Sequence, residues 1–419
     1  MGQNVVKREV KKGLELYELR KLESAIDEWN KALHRLNGTG DNPTKFVILG
    51  HVCCAYFDMG KYRCIITYAR KQLEVAETIE QETEACLNLS RAYERLGEYS
   101  IAEEYCKKCL SRDRKDSKWV KYAFLLYGRL YFKQCQFYKG LKNLEEAKAF
   151  EKLSNDIAFR ILVNISYGQF YTFVNDMETG CMYILKCIEI LETNTDSYIT
   201  KKFHKSIQLE LAKIHLENSR LNEALDTCEN VMKDAMESRD RQLQGECLYV
   251  FAEIHRRSRS FERASPRYES AYAIFTEIGD RYGLMQVLYG MAKTTCLQQD
   301  FDQAIDLFKK TLDAAQEIGN KMYAVKCCVN LIDLCDTGSV ESTQSYEQLL
   351  DDLLEQMGLY CGVCSEAIGK TKEQLDMLPC CHLIHTRCAC HLARYTWGRK
   401  EKMRPCPTCR KLSSSNPML

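Results

Sequence analysis

Apolar side chains recur along most of the chain in steps of three, four and often three again. A bulky apolar or aromatic residue is followed three places on by a small residue, more loosely Ile65 in one copy. Four further on stands an aromatic, apolar or Cys residue (Ala69 in that copy), and usually a small or apolar one three after that. Leu22, Ala25, Trp29 and Ala32 make the first copy. Tyr62, Ile65 and Ala69; Tyr99, Ala102, Cys106 and Cys109; Phe137, Gly140, Leu144 and Ala147; and Met177, Gly180, Ile184 and Cys187 follow. Leu221, Ala224, Cys228 and Val231; Phe261, Ala264, Tyr268 and Ala271; and Phe301, Ala304 and Phe308 complete the set. Successive first positions lie 40, 37, 38, 40, 44, 40 and 40 residues apart. Steps of three and four put these side chains on one stripe of a helix.

Upstream of each stripe lies a second apolar segment with a small residue three places before a Tyr or His. Gly128 and Tyr131, Gly168 and Tyr171, and Ala252 and His255 are examples. Small residues let two antiparallel helices approach closely, so each unit reads as a helix hairpin that cannot bury its face alone. Stacked hairpins predict an all-α, right-handed solenoid with a concave surface. The pattern resembles a tetratricopeptide array of eight units with a period above the usual ~34 residues, which implies longer helices or longer loops. Gly279 and Gly319, in "EIGDR" and "EIGNK", mark helix C-termini. His51, His204, His215 and His255 fall within helices and read as core or groove residues. A ninth, incomplete unit runs over residues 323–336, and "DTGSV" then breaks the helix. Residues 347–357 form an acidic amphipathic helix with Leu349, Leu350, Leu353 and Leu354 on one side. That helix either caps the solenoid or binds a partner.

Composition narrows the function. The chain of 419 residues carries 59 basic and 58 acidic side chains, a net charge of +1, which gives no global pull toward nucleic acid. Six prolines and 21 glycines argue against long disordered linkers. No apolar run approaches the roughly 18 residues of a membrane span, and no apolar signal peptide stands at the start, so a cytosolic protein is expected. Cytosolic thiols stay reduced, so the 23 cysteines do not read as a disulfide framework. Fifteen lie at scattered helical positions such as Cys106, Cys109, Cys187 and Cys228 and read as small core residues.

The other eight cysteines follow residue 360, where the chain reads "CCHLIHTRCACH" over residues 380–391. Cys361-x2-Cys364 precedes this stretch by fifteen residues, and Cys406-x2-Cys409 follows Cys388 by seventeen. With Cys380, His382, His385 and Cys388 between them, eight N and S donors suffice for two tetrahedral zinc ions of structural type. The spacing resembles a RING finger of the two-histidine kind. That resemblance implies interleaved sites, Cys361, Cys364, His385 and Cys388 on one ion and Cys380, His382, Cys406 and Cys409 on the other. Cys381, Cys390 and His391 are left over, and Cys381 or Cys390 competes for a ligand position. RING ligases hold a conjugating enzyme, and Val363, Trp397, Pro407 and Arg410 are the counterparts of the residues that contact the enzyme or ubiquitin.

The chain begins Met1-Gly2-Gln3-Asn4-Val5-Val6. Gly2 fits an N-myristoyl acceptor, although the motif wants Ser or Thr where Val6 stands. One myristoyl chain binds membranes only marginally, so a second attachment is required. Lys7 and Arg8 are compatible with an anionic inner membrane surface.

"MGQ" with "KKGLELY" (11–17), "AEIHRRSRSFERASPRYESA" (252–271), "TEIGDR" (276–281) and "LYCGVCSEAIG" (359–369) together resemble the rapsyn family over essentially the whole chain. The resemblance implies a lipid-anchored peripheral scaffold on the cytoplasmic face of the postsynaptic membrane. It would cluster nicotinic acetylcholine receptors and link them to the cytoskeleton. It also implies N-myristate on Gly2, self-association through the repeats, contact of the 340–358 helix with the receptor's cytoplasmic loop, and cytoskeletal adaptors at the RING. The divisions expected are residues 1–5 for acylation, 6–337 for the repeats, 340–358 for the helix, 359–412 for the RING and 413–419 for a tail. The alternative is a ubiquitin-family ligase whose repeats select substrates.

Overall fold

In this computed structural model the described residues are 2–112, 118–151, 154–194, 197–335, 340–369, 372–378, 380–393 and 405–410. Trp397 lies outside them, as do the side chains of Cys390 and His391. Helices pair in sequence as antiparallel hairpins: α1 (Gly2–Glu18) with α2 (Leu22–Leu36), α3 (Asn42–Asp58) with α4 (Tyr62–Glu74), α5 (Ile79–Arg95) with α6 (Tyr99–Arg112) and α7 (Lys118–Lys133) with α8 (Phe137–Glu151). Then come α9 (Ile157–Phe173) with α10 (Met177–Glu192), α11 (Ser197–Glu217) with α12 (Leu221–Glu237), α13 (Arg241–Arg257) with α14 (Phe261–Ile278) and α15 (Arg281–Leu297) with α16 (Phe301–Ile318). The last pair is α17 (Lys321–Cys335) with α18 (Val340–Met357). The first residue of each apolar stripe is the first residue of an even-numbered helix. The long period comes from longer helices, since the turns inside the first eight hairpins stay at three residues.

Those turns share one geometry. The residue two before each even helix, from α2 to α16, has positive φ: Arg20, Gly60, Gly97, Cys135, Asn175, Ser219, Arg259 and Gln299. The next N–H reaches back five residues. Gln136, Asp176, Arg220 and Ser260, for example, donate to the carbonyls of Tyr131, Tyr171, His215 and His255 at 2.8–2.9 Å. These are Schellman closures. At six of the eight positions an L side chain takes the left-handed conformation, at about 1 kcal/mol each. The odd helices from α9 to α15, apart from α11, start on an aspartate cap: Asp156, Asp240 and Asp280 accept from Phe159, Leu243 and Gly283.

The hairpin crossings use the small residues. A Cβ on Gly168 would lie 2.6 Å from Ile184 Cδ1 and 3.3 Å from the carbonyl of Gly180, so α9 and α10 meet almost backbone to backbone. Trp29, Tyr62, Phe137, Tyr268 and Phe308 are fully buried across these contacts. Val6 is buried too, in the apolar cluster with Ala25, Ile26 and Trp29, on the inward stripe of α1. A core demand therefore accounts for the apolar residue where an acylation motif prefers Ser or Thr. Gly2 opens the same helix, so residues 2–5 continue into the array. Cys106, Cys109, Cys187 and Cys228 are buried, and burial pushes the Cys106 and Cys187 thiols up to about 12, which makes them inert. Cys54 is exposed. His51 stacks on Trp29 and His255 is buried, whereas His204 is exposed.

The array bends back on itself. Tyr62 Oη donates to Gln242 Oε1 at 3.0 Å, and Asn320 Nδ2 to the carbonyl of Lys133 at 2.8 Å. The Met322 N–H points at Cys135 Sγ, and a Cβ on Gly97 would meet Ile318 at 3.2 Å. One apolar core therefore runs from α3–α7 into α13–α18. α18 belongs to it. Leu353 is buried, and Tyr346, Leu349 and Leu350 pack against the same core, while Glu347, Asp351, Asp352 and Glu355 face outward. Thus α17 and α18 form a ninth hairpin, and α18 covers the end of the array.

Buried charge ties neighbouring hairpins together. Glu94 on α5 lies 3.0 Å from Arg129 and 3.2 Å from Lys133 on α7. Burial alone would raise the Glu94 carboxyl, but Arg129, Lys133 and Arg95 more than offset this and hold it at about 2, against an ordinary 4.5. A depressed carboxyl stabilises the fold fully above its unfolded value and loses that stabilisation as pH falls toward its folded one. Between about pH 4.5 and 2 the array should lose roughly 3 kcal/mol from this group. Glu94→Gln should lower the thermal midpoint at pH 7 and flatten its decline in acid. An unchanged acid slope would show that other carboxylates set it.

Candidate metal centre

After α18 the chain turns at Gly358 into a small module. It holds strand β1 (Leu375–Met377), strand β2 (Leu383–His385) and helix α19 (Thr386–Ala393), with Leu375 opposite His385 in an antiparallel pair. Two cysteine knuckles flank this hairpin. In each, an N–H reaches back to the carbonyl of the first cysteine: Ser365 to Cys361 at 2.8 Å and Arg410 to Cys406 at 2.7 Å. Ser365 and Arg410 both have positive φ, so Arg410 closes its knuckle in addition to carrying an exposed charge.

The eight residues of the motif gather in two groups. Cys361, Cys364, His385 and Cys388 form one, and Cys380, His382, Cys406 and Cys409 the other. Within each, the donor atoms all lie within 4.8 Å of one another. Nδ1 is the imidazole atom turned to the thiols, 3.4 Å from Cys364 Sγ in His385 and 3.4 Å from Cys380 Sγ in His382. Three thiols and one imidazole around a common centre fit a structural, four-coordinate metal ion, with zinc the chemical match. The grouping interleaves the chain: each group joins one knuckle to a part of the β1–β2–α19 unit and its lead-in. Cys381 is in neither group. It is buried with positive φ in the apolar core beneath the module.

Three residues outside the motif position this centre. Glu373 lies 3.7 Å from His385 Nε2 and 3.2 Å from Arg387, so a carboxylate backs the imidazole on its far side. Such a partner fixes ring orientation and raises ligand basicity. Glu373→Gln should weaken metal retention about 10- to 100-fold, read by competition with a chromogenic chelator. Equal retention would make the contact incidental. Tyr138, on α8, sets its ring 4.3 Å from that of His382. Asp176 caps α10 with one oxygen, accepting from Thr179, and with the other accepts the Leu375 N–H at 3.0 Å. Glu373, Tyr138 and Asp176 carry no motif of their own, which is why spacing did not find them.

The module is seated on the array. Leu359, Cys361, Ile368, Leu375, Leu378 and Leu383 share one core with Phe137, Phe170 and Val174. A Cβ on Gly369 would touch the Val174 backbone at 3.5 Å. Val363 and Pro407 sit half-buried on the two knuckles, which touch: a Cβ on Gly362 would lie 3.1 Å from Pro407 Cβ. Among the described residues no helix is long and apolar enough to cross a membrane.

Comparison with known proteins agrees with this architecture. A profile for the rapsyn N-terminal myristoylation and linker region matches residues 1–83, and tetratricopeptide-repeat profiles match 83–116 and 252–317. Among solved structures, NprR in complex with its cognate peptide NprX aligns at TM-score 0.52 and 17% identity, covering 81% of this chain and 90% of that one. A Rap protein complexed with competence and sporulation factor aligns at 0.51 and 13%, covering 66% and 78%. At these identities the likeness concerns the helical-repeat fold alone. The 43 kDa receptor-associated protein of the synapse from Tetronarce californica is 32% identical over 419 residues, 99% of this chain and 98% of that protein. Its counterpart from Gallus gallus is 33% identical over 425 residues, with the same coverage. With the repeats, the N-terminal region and both ends of the chain matched, the chain belongs to the family of the 43 kDa receptor-associated protein of the synapse.

Proposed function

We propose that this chain is a peripheral scaffold on the cytoplasmic face of the postsynaptic membrane. It clusters nicotinic acetylcholine receptors and links them to the cytoskeleton. The observation that carries this reading is the match over 99% of the chain to relatives named for receptor association at the synapse. Myristate on Gly2, the first residue of α1, supplies the membrane anchor. Two zinc ions, one in each Cys/His group, hold the C-terminal module in a RING-type fold. Many weak contacts among copies held on one membrane gain strength through effective concentration, so clustering needs no reaction chemistry.

The receptor's cytoplasmic loop meets the α18 region. In the seated state α18 offers its acidic row, with Leu349, Leu350 and Leu354 half-exposed and Leu353 turned inward. The repeats serve self-association, and the module takes cytoskeletal adaptors. The direct biochemical test is retention of the full-length protein on an immobilised receptor cytoplasmic loop. Retention above that on a scrambled loop supports the scaffold, and equal retention counts against it.

A second reading, ubiquitin-family ligase activity, draws on the apposed knuckles carrying Val363 and Pro407, with Arg410 exposed beside them. Trp397 would complete that surface. Arg410→Asn keeps a residue that tolerates positive φ and removes the charge. Under the ligase reading it lowers ubiquitin transfer with metal content intact; transfer unchanged by the substitution removes Arg410 from that role.

A further inference from the structure

The Gly2 end of the first hairpin turns its cations outward and its carboxylates inward. Residues 2–14 contain four cations, Lys7, Arg8, Lys11 and Lys12, and one carboxylate, Glu9. The four cations are exposed, whereas Glu9 is buried and accepts from Arg35 on α2 at 2.9 Å. Glu28, also buried, lies 3.0 Å from Lys12 and 2.8 Å from Lys31. Lys12, Lys31 and Arg35 keep 58, 57 and 54% of their side chains in solvent, while Glu28 and Glu9 keep only 11 and 9%. The buried carboxylates thus hold three cations in place on the outside of α1 and α2. Lys11 lies 3.9 Å from the exposed Glu15, and among the described residues neither Lys7 nor Arg8 has a carboxylate within ion-pair distance. Glu15 and Asp27 are the exposed carboxylates at the margin, each one turn further from Gly2.

The helix that carries this face is fixed. Trp29 Nε1 donates to the Val10 carbonyl at 3.3 Å, and a Cβ on Gly13 would lie 2.2 Å from the Trp29 ring, so α1 lies directly on α2. The cations of the two helices adjoin, since Lys31 shares Glu28 with Lys12 and Arg35 reaches the neighbour of Arg8. A firm, outward row of this kind suits an extended anionic surface, which meets every cation at once, better than a small anion, which meets only its nearest few. Anionic lipid presents such a surface, and it attracts basic segments that lie within a Debye length of it. Gly2 opens the same helix, so the face stands beside the residue that would carry an acyl chain.

We infer that Lys7, Arg8, Lys11, Lys12, Lys31 and Arg35 form a docking face for a bilayer of anionic lipid, and that this face sets which side of the first hairpin meets the membrane. The inference rests on the peripheral-membrane reading above and adds to it an attachment that needs no acyl chain.

The test uses the full-length protein carrying Gly2→Ala, so that no acyl chain contributes, in sedimentation with lipid vesicles. Pure phosphatidylcholine vesicles should leave it in solution. Vesicles with about one-third phosphatidylserine should carry it down, less so as salt rises. Each basic residue near such a surface is worth about fivefold in partitioning. Lys7→Gln with Arg8→Gln and Lys11→Gln should therefore weaken binding on the order of 100-fold. Lys233→Gln with Lys309→Gln and Lys310→Gln, at exposed positions of α12 and α16, should leave it unchanged. Circular dichroism checks that both variants remain folded, and Lys7→Arg with Arg8→Lys and Lys11→Arg keeps the charge and should retain most binding. Equal partition onto the two kinds of vesicle, full binding by the folded triple-glutamine variant of α1, or an equal loss in the α12 and α16 variant would each overturn the assignment. The anchor on Gly2 is read separately, from retention of the acylated protein on pure phosphatidylcholine, so the two fail independently.

Discussion

Stripping metal from the module with a chelator is expected to unfold residues 359–410 and to lower the thermal midpoint of the whole helical array. The first half of this expectation follows from size. The described module has two three-residue strands and one eight-residue helix, too little to hold itself by apolar burial. Each Cys3His group supplies on the order of 10 kcal/mol when it holds a structural ion. Without one, three thiols and an imidazole are left crowded within 4.8 Å. The second half follows from the shared core. Phe137, Phe170 and Val174 lose their cover when the module opens, and each fully buried apolar side chain is worth roughly 1.5–3 kcal/mol. Cys361→Ser, at a fully buried ligand, should act as a partial version of the same treatment. Circular dichroism before and after chelation reads both effects: most helical signal is retained when cold, and the midpoint falls. An array melting at the same temperature with and without metal would mean the two parts are energetically independent.

Val174→Glu should do the converse and free the module from the array with its metal still held. Val174 is 2% exposed at the end of α9, and its backbone meets Gly369. A carboxylate placed there has no partner and costs roughly 3 kcal/mol or more. The eight residues of the two Cys/His groups all lie between 361 and 409, so none is disturbed directly. Hydrogen exchange should rise along Leu375–Met377, whose first N–H depends on Asp176, while metal content stays at the wild-type value. Loss of metal together with docking would show that the array is needed to form the centre. Unchanged exchange would show that the contact at Val174 contributes little to the seating.

The starts of the even helices were legible because one stripe repeats eight times and each copy buries its second and third positions, from Ala25 and Trp29 to Ala304 and Phe308, even where the first, Phe301, stays exposed. The two Cys/His groups were legible because structural metal chemistry demands cysteine and histidine at short, paired spacings. Other features left no periodic trace. The array closes through single contacts between residues about 180 positions apart, such as Tyr62 with Gln242. Nothing local in the sequence announces such a pair. The left-handed turns were hidden because Arg20, Ser219 and Gln299 stand where glycine would have marked them. The leucines at 349–354 showed an amphipathic helix but not its cover. Only the structure supplies α17 as the neighbour that turns α18 into the second half of a hairpin. Val6 read as a departure from an acylation motif because the pattern gave no sign that α1 packs that position against Trp29.

As proposed, the chain gathers receptors at a membrane. The measurement that tests it most directly is imaging of nicotinic receptor subunits in a non-muscle cell, with and without this protein. The expected result is receptor patches that coincide with the protein, appear only when it is present and disperse with Gly2→Ala. Receptors that stay diffuse beside well-expressed, metal-loaded protein would contradict it.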